Sequence, residues 1–264
     1  MIEKFRQFFR PKPVELPVVP TGERIYAIGD IHGRLDLFVA MARAIEEDDE
    51  RRGSAETTIV LLGDLIDRGP DSREVLNGAR AWRDYRRVRI IAGNHEEMFL
   101  KSFHKIETFA HFLRYGGYET VLSFGVDPER FRQADLGDAQ QMMIDAVPEA
   151  DIAFIESFED SIVVGDYLFV HAGVHPGEPL EEQHIHNMRW IREPFLSHSG
   201  SFGHFVVHGH TIADDVTIRH NRIGLDTGAF MSGKLTAIGL EGQDKWLIET
   251  CDVDGVVTTS STPI

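Results

Sequence analysis

The stretch Gly63-Asp64-Leu65-Ile66-Asp67-Arg68-Gly69-Pro70-Asp71-Ser72 follows the apolar run 58–62, so Asp64, Asp67 and Arg68 emerge at the end of a buried strand. Two shorter stretches share this layout: Ile28-Gly29-Asp30-Ile31-His32-Gly33 after the run 24–28, and Gly93-Asn94-His95-Glu96 after 88–92. Three strands thus end in polar tips bounded by glycine. In open α/β sheets ligands bind outside the carboxyl ends of strands, and glycine lets the backbone turn tightly or approach a ligand closely.

Outward from the tips, strands and helices alternate. Phe38, Met41, Ala42 and Ile45 recur at i, i+3, i+4 and i+7, which predicts a helix ending in the acidic run 46–50. A second helix is expected over about 73–82, between strands 58–62 and 88–92. This order argues for a parallel sheet of right-handed β-α-β units. From 97 to 158 strand signals vanish and helical segments dominate, which reads as a helical insertion or cap. His104 and His111 within it are read as surface or groove-lining residues. Strands are expected again at 161–164, 167–171, 205–208, 216–219, 223–225, 235–240 and 246–249. Their short spacings imply hairpins and a second or mixed sheet.

Pro11, Pro13, Pro17 and Pro20 mark an extended linker, because proline fixes φ and disfavours helix in the residue before it. Residues 1–23 are therefore read as an arm and linker, and 24–264 as one domain with the insertion at about 97–158. In the arm, Lys4, Arg6, Arg10 and Lys12 stand among Phe5, Phe8 and Phe9, with no signal-peptide core after them. The arm is expected to pack on the domain or on a neighbour rather than to anchor on a membrane.

The chain has 264 residues, 42% hydrophobic and 27% charged, which suits a globular protein able to bury a core. Acidic residues outnumber basic ones 43 to 27, a formal charge of -16, which disfavours nonspecific binding to nucleic acid and to anionic membranes. No apolar run approaches the roughly 18 to 20 residues that span a bilayer. The single cysteine, Cys251, allows no intramolecular disulfide, so a reducing, cytoplasmic location is expected.

The tips carry metal-ligand chemistry. Asp30 and His32 alternate by two and would point to the same side of an extended strand end. Asp64 offers a carboxylate able to bridge two cations, and Asn94 a neutral amide oxygen. His171, His208 and His210 stand at two later strand ends, in Phe169-Val170-His171-Ala172-Gly173 and Val207-His208-Gly209-His210-Thr211. Mixed imidazole and carboxylate ligation suits manganese, iron or zinc better than calcium or cuprous copper. Two such cations are expected, with manganese placed first.

Taken together, Gly29-Asp30-x-His32-Gly33, Gly63-Asp64-x-x-Asp67-Arg68-Gly69, Gly93-Asn94-His95-Glu96, His171-Ala172-Gly173 and Gly209-His210-Thr211 resemble the phosphoprotein phosphatase family of calcineurin-like metallophosphoesterases, its small bacterial and phage-type members above all. The resemblance implies an α/β fold, a two-sheet β-sandwich flanked by helices, with a dinuclear centre at the strand ends. By position, Asp30, His32 and Asp64 would hold one metal, and Asp64, Asn94, His171 and His210 the other. His208 is then a supporting or groove residue. A hydroxide bridging the metals would attack phosphorus. His95 would be the general acid that protonates the leaving alkoxide, with Asp67 orienting its ring, and Arg68 would grip the phosphoryl oxygens. Arg189-Trp190-Ile191-Arg192 offers two candidates for a second arginine. Likeness to the Trp-x-Arg of phage-type members selects Arg192, and a surface ion pair is the other reading of Arg189.

Asp226-Thr227-Gly228-Ala229 has the Asp-Thr-Gly of aspartic proteases, but those need two such carboxylates and the chain has one such segment. It is read as support for the metal ligands. His175, His184, His186, His198, His204 and His220 are assigned to loops or the rim. The expected activity is hydrolysis of phosphoserine and phosphothreonine in a phosphorylated protein or peptide, with phosphotyrosine as a further candidate substrate. The rival within the fold is a symmetrical diadenosine tetraphosphatase, where the family has Ala in place of Asp67 and Asp in place of Glu96. A rival of another class is a catalytically silent adaptor that binds a phosphorylated partner.

Overall fold

The structure is a computed structural model that describes residues 16–264. The arm 1–13 lies outside the described residues. The end of the linker is tied down: Val19 is fully buried and its N–H donates to Gly242 O at 2.9 Å.

Two mixed sheets, flanked by helices, form the core of the fold. The first has the order β11-β10-β9-β1-β2-β3. Strands β1 (Glu23–Ile28), β2 (Glu56–Leu61) and β3 (Val88–Ile90) are parallel, as the alternation predicts. Helix α1 (Leu35–Arg52) and helix α2 (Ser72–Tyr85) make the crossovers between them. On the other edge of β1, β9 (Lys234–Glu241), β10 (Asp244–Val253) and β11 (Val256–Pro263) run antiparallel to their neighbours. The second sheet has the order β4-β5-β6-β8-β7, with β4 Ser161–Val164, β5 Tyr167–Val170, β6 Phe205–His208, β7 Thr217–Ile218 and β8 Arg222–Gly224. Ile25, Ala27, Val60 and Ile238 of the first sheet pack against Phe169, Val207 and Ile223 of the second, in one cluster shut off from water.

The structure departs from the sequence reading in three places. The third strand is regular only to Ile90, and Ile91 continues its pairing as a single bridge: Ile91 N–H donates to Leu61 O at 2.9 Å, and on the other edge Glu159 N–H donates to Ile90 O and Ala92 N–H to Glu159 O, both at 2.8 Å. Strand β11 was not expected, since its Val-Val-Thr-Thr-Ser-Ser-Thr has no apolar alternation and lies largely exposed on the sheet edge. The Asp254-Gly255 pair, with φ 54° and 80°, marks the hairpin that forms it. The expected cap is built of six helices and one π-turn between Asn94 and Glu156, but it does not simply lie over the sheet. Its π-turn, Leu113–Gly117, and the next helix, Tyr118–Ser123, pack against the 63–72 loop.

Candidate metal centre and catalytic loop

All five tips converge at the carboxyl ends of β1, β2, β3, β5 and β6. Their backbones are bent out of strand geometry: His32, Asp64, Asp67, Arg68 and His210 all have positive φ, between 47° and 73°. Non-glycine residues rarely adopt this region, and it persists where surrounding structure over-determines it. At Asp64 the Glu96 carboxylate does so. It is fully buried and accepts Asp64 N–H and Gly93 N–H at 2.9 Å and Leu65 N–H at 2.7 Å. Gly93 must be glycine, since a Cβ there would stand 2.1 Å from Asp64 Oδ1.

Asp64 is the hub. Its Oδ2 lies 3.5 Å from His171 Nε2, 3.7 Å from His32 Nε2 and 3.9 Å from His95 Nε2. Burial alone would raise its pKa, but the imidazoles of His171, His95, His32 and His210 outweigh burial and hold it below the ordinary range. Two groups of potential ligand atoms share this carboxylate: His32, Asp64 and His95, and Asp64, His171 and His210. Asn94 Oδ1 joins the second, 3.0 Å from His171 Nε2 and 2.8 Å from His210 Nδ1.

Burial keeps His32, His171 and His210 neutral, with their lone pairs available. It pushes His32 well below its ordinary pKa, lowers His171, and lowers His210 to about 3. The residues fit a divalent-cation pair on two further counts. His210 Nε2 and Asp226 Oδ2 are buried without a hydrogen-bond partner. Burial, then Asp226 and Asp64, pushes Asp30 well above its ordinary pKa, a repulsion among carboxylates that cations would relieve.

The same-side expectation for Asp30 and His32 is corrected, because β1 ends at Ile28 and His32 has φ 47°. His32 faces Asp64, while both Asp30 oxygens accept His210 N–H at 3.1 Å. His208 is likewise no groove residue. It is buried edge-on against Phe195 at 5.0 Å, with Nδ1 3.0 Å from Gly209 O. Asp226 stands beside Asp30, and burial raises its pKa to about 6.

Within the first of these groups, His95 turns its other ring nitrogen away: Nδ1 lies 2.6 Å from Asp67 Oδ2. Burial opposes the charged ring, but the carboxylates of Asp64 and Asp67 overcome it and raise the His95 pKa. Arg68 spans the site, with one terminal nitrogen 2.9 Å from His32 Nε2 and the other 3.0 Å from His95 Nε2. A guanidinium has donors only, so both imidazole nitrogens accept from it.

The sequence missed Phe230, whose ring lies 4.6 Å from the Arg68 guanidinium carbon and 5.4 Å edge-on from His32. The cleft over the site holds about 210 Å³, and Asp64, Asn94, His95, His210 and Arg192 line its floor and wall. Arg68, Met98, His111, Tyr115 and Trp190 complete it, so His111 is the groove residue of the two cap histidines. Arg189 points elsewhere, donating to Asp160 at 2.6 Å and to Glu97 at 3.3 Å.

Among curated proteins, the zinc-dependent endopolyphosphatase of Saccharomyces cerevisiae is 25% identical over 248 residues, 80% of this chain and 74% of that protein. The asymmetrical bis(5'-nucleosyl)-tetraphosphatase of Bacillus velezensis is 25% identical over 233 residues, 79% of this chain and 86% of that protein. A symmetrical bis(5'-nucleosyl)-tetraphosphatase of Klebsiella pneumoniae reaches 40% identity, but over 78 residues that make up 30% of this chain and 25% of that protein. Among solved structures, the cold-active protein-tyrosine phosphatase of a psychrophilic Shewanella superposes with a TM-score of 0.56 at 19% identity, covering 94% of this chain and 84% of that one, and so shares the fold. The model of the calcineurin-like phosphoesterases matches residues 23–258, a span that takes in every tip and every strand except the end of β11, and the chain belongs to that family.

Proposed function

We propose that this metallophosphoesterase is a metal-dependent phosphomonoesterase that removes phosphate from phosphoserine and phosphothreonine in proteins. The observation that carries the reading is the contact between His95 and Asp67, 2.6 Å apart and buried. An alkoxide is a far more basic leaving group than a phosphate or a nucleotide, and it departs readily only if it is protonated as the P–O bond breaks. A hydrolase of phosphoanhydrides has little need of such an acid.

In this reading Asp30, His32 and Asp64 would hold one divalent cation, and Asp64, Asn94, His171 and His210 the other. Such cations, with manganese, iron and zinc all suited to these ligands, supply Lewis-acid charge to the phosphoryl oxygens and acidify a water. The chain's own residues do the rest. Arg68 and Arg192 bind the phosphoryl oxygens, and Arg68 leaves the imidazoles for this stronger acceptor. His95 Nε2 then carries the proton that goes to the leaving oxygen. Asp67 accepts Nδ1–H, fixes the plane of the ring and stabilises its charged form.

A second reading, hydrolysis of phosphoanhydrides, is favoured by the printed names of the relatives, an endopolyphosphatase and two nucleosyl-tetraphosphatases. Steady-state kcat/KM of the manganese-loaded protein on a phosphothreonine peptide, diadenosine tetraphosphate and inorganic polyphosphate, measured side by side, separates the two. A preference for the peptide is expected. A preference for either anhydride would replace the first reading with the second, and turnover of none, with both metals bound, would restore the adaptor.

A further inference from the structure

The insertion touches the catalytic loop at two points. Gly116 O accepts Arg68 N–H at 2.9 Å. Thr120, from the helix Tyr118–Ser123, makes the closer contact. Its Oγ1 donates to Asp67 Oδ1 at 2.6 Å and accepts Asp67 N–H at 2.9 Å. Ser72 Oγ, 2.9 Å from Thr120 Oγ1, accepts the same N–H at 2.9 Å. Asp67, Ser72 and Thr120 are all fully buried, so no solvent competes for these bonds.

The arrangement leaves Asp67 little freedom. Its backbone sits at φ 73°, in the left-handed region, and its N–H is held there by Thr120 and Ser72. With Oδ1 tied to Thr120, the carboxylate plane is set and Oδ2 meets His95 Nδ1 at 2.6 Å. Ser72 touches only the main chain of Asp67, whereas Thr120 touches both main chain and carboxylate.

We propose that Thr120 is a positioning residue for leaving-group protonation: it orients Asp67, and through Asp67 the ring of His95. The inference rests on the reading of His95 as the general acid. Its consequence is that the helical insertion completes the proton-donating apparatus as well as covering the site. Turnover of substrates whose leaving group needs a proton then depends on a hydroxyl 53 residues away in the chain.

The test compares a phosphothreonine peptide, which leaves as an alkoxide, with 4-nitrophenyl phosphate, whose leaving group needs little protonation. Thr120→Val keeps the shape and removes the hydroxyl, Thr120→Ala removes both, and Thr120→Ser keeps the hydroxyl. General acid catalysis contributes about 100-fold or more, so kcat for the peptide is expected to fall about 10- to 100-fold in Thr120→Val. The loss on 4-nitrophenyl phosphate should be much smaller, bound metal should match the wild type, and Thr120→Ser should recover most of the peptide rate. If Thr120→Val does not fold, Thr120→Ser against Thr120→Ala gives the same comparison.

Equal losses on both substrates, or no loss on the peptide, would overturn the inference. His95→Asn, run alongside, separates the two levels of the account. If His95→Asn itself shows no bias between the substrates, the acid reading fails. If it shows the bias and the Thr120 variants do not, only the role of Thr120 fails.

Discussion

His95 and Asp67 face each other across 2.6 Å with both side chains sealed from solvent. Burying such a pair costs desolvation that its attraction only partly offsets, and an apolar pair of similar volume would often serve stability as well. Its value therefore lies in chemistry. A carboxylate behind an imidazole fixes which nitrogen holds the proton and raises the basicity of the ring, and the raised His95 pKa follows from Asp64 and Asp67 together.

Removing the charge of Asp64 should remove metal binding and turnover together. Asp64 Oδ2 lies within 3.9 Å of three imidazole nitrogens, and Asp64 is the carboxylate common to both candidate groups. Asp64→Asn is expected to lose bound metal, counted by elemental analysis, and to lose activity by at least about 100-fold. Wild-type metal content with wild-type rates would contradict the bridging position.

The two arginines of the 189–192 segment should separate cleanly. Arg192 lines the cleft, while Arg189 is spent on Asp160 and Glu97. A charge-assisted hydrogen bond is worth about 1.5 to 3 kcal/mol, so Arg192→Ala should weaken inhibition by inorganic phosphate about tenfold or more. Arg189→Ala should leave that inhibition constant within about threefold and act mainly on the melting temperature. The reverse result would exchange the two residues.

Far from the site, Asp48 predicts an acid-dependent loss of stability. It is buried at the join of α1 with the first sheet and accepts from Tyr26 Oη at 2.8 Å, Trp246 Nε1 at 2.9 Å and Arg52 Nε at 2.7 Å. Burial would raise its pKa, but Arg52, Tyr26 and Trp246 outweigh burial and lower it. A depressed carboxylate pKa stabilises the fold above its unfolded value, about 3.8, and that stability is lost as pH falls through the folded value. Asp48→Asn should therefore cost about 2 to 3 kcal/mol in denaturant unfolding at pH 7, with the difference from wild type shrinking toward pH 3. A difference independent of pH would show that the ionised form carries no special stability.

The sequence-legible part of the site was the part built locally. Each tip is a strand end with its own glycine and its own candidate ligand, so the positions of Asp64, Asn94, His171 and His210 at strand ends could be read before any contact was known. Side-chain direction was less legible, because it depends on backbone bends. Asp30 and His32 stand two apart, as His208 and His210 do, but the left-handed φ of His32 and of His210 ends the alternation that an extended strand would impose. Least legible were the long-range supports. Glu96 reads in the sequence as a subfamily marker, yet it gathers three backbone N–H groups under the Asp64 loop. Thr120 and Gly116 lie in an insertion with no pattern of its own, and only folding brings them to Asp67 and Arg68.

The account turns on protonation of the leaving group by His95, and the dependence of rate on leaving-group basicity tests it most directly. We would measure kcat/KM of the manganese-loaded wild type and of His95→Asn across aryl and alkyl phosphates, from 4-nitrophenyl phosphate to a phosphothreonine peptide, with bound metal counted in each. The predicted result is a shallow dependence in the wild type and a steep one in His95→Asn, with both metals retained and a deficit that grows to about 100-fold or more on the peptide. Parallel dependences, with His95→Asn equally impaired on every substrate, would contradict the acid role and with it the phosphoserine and phosphothreonine reading.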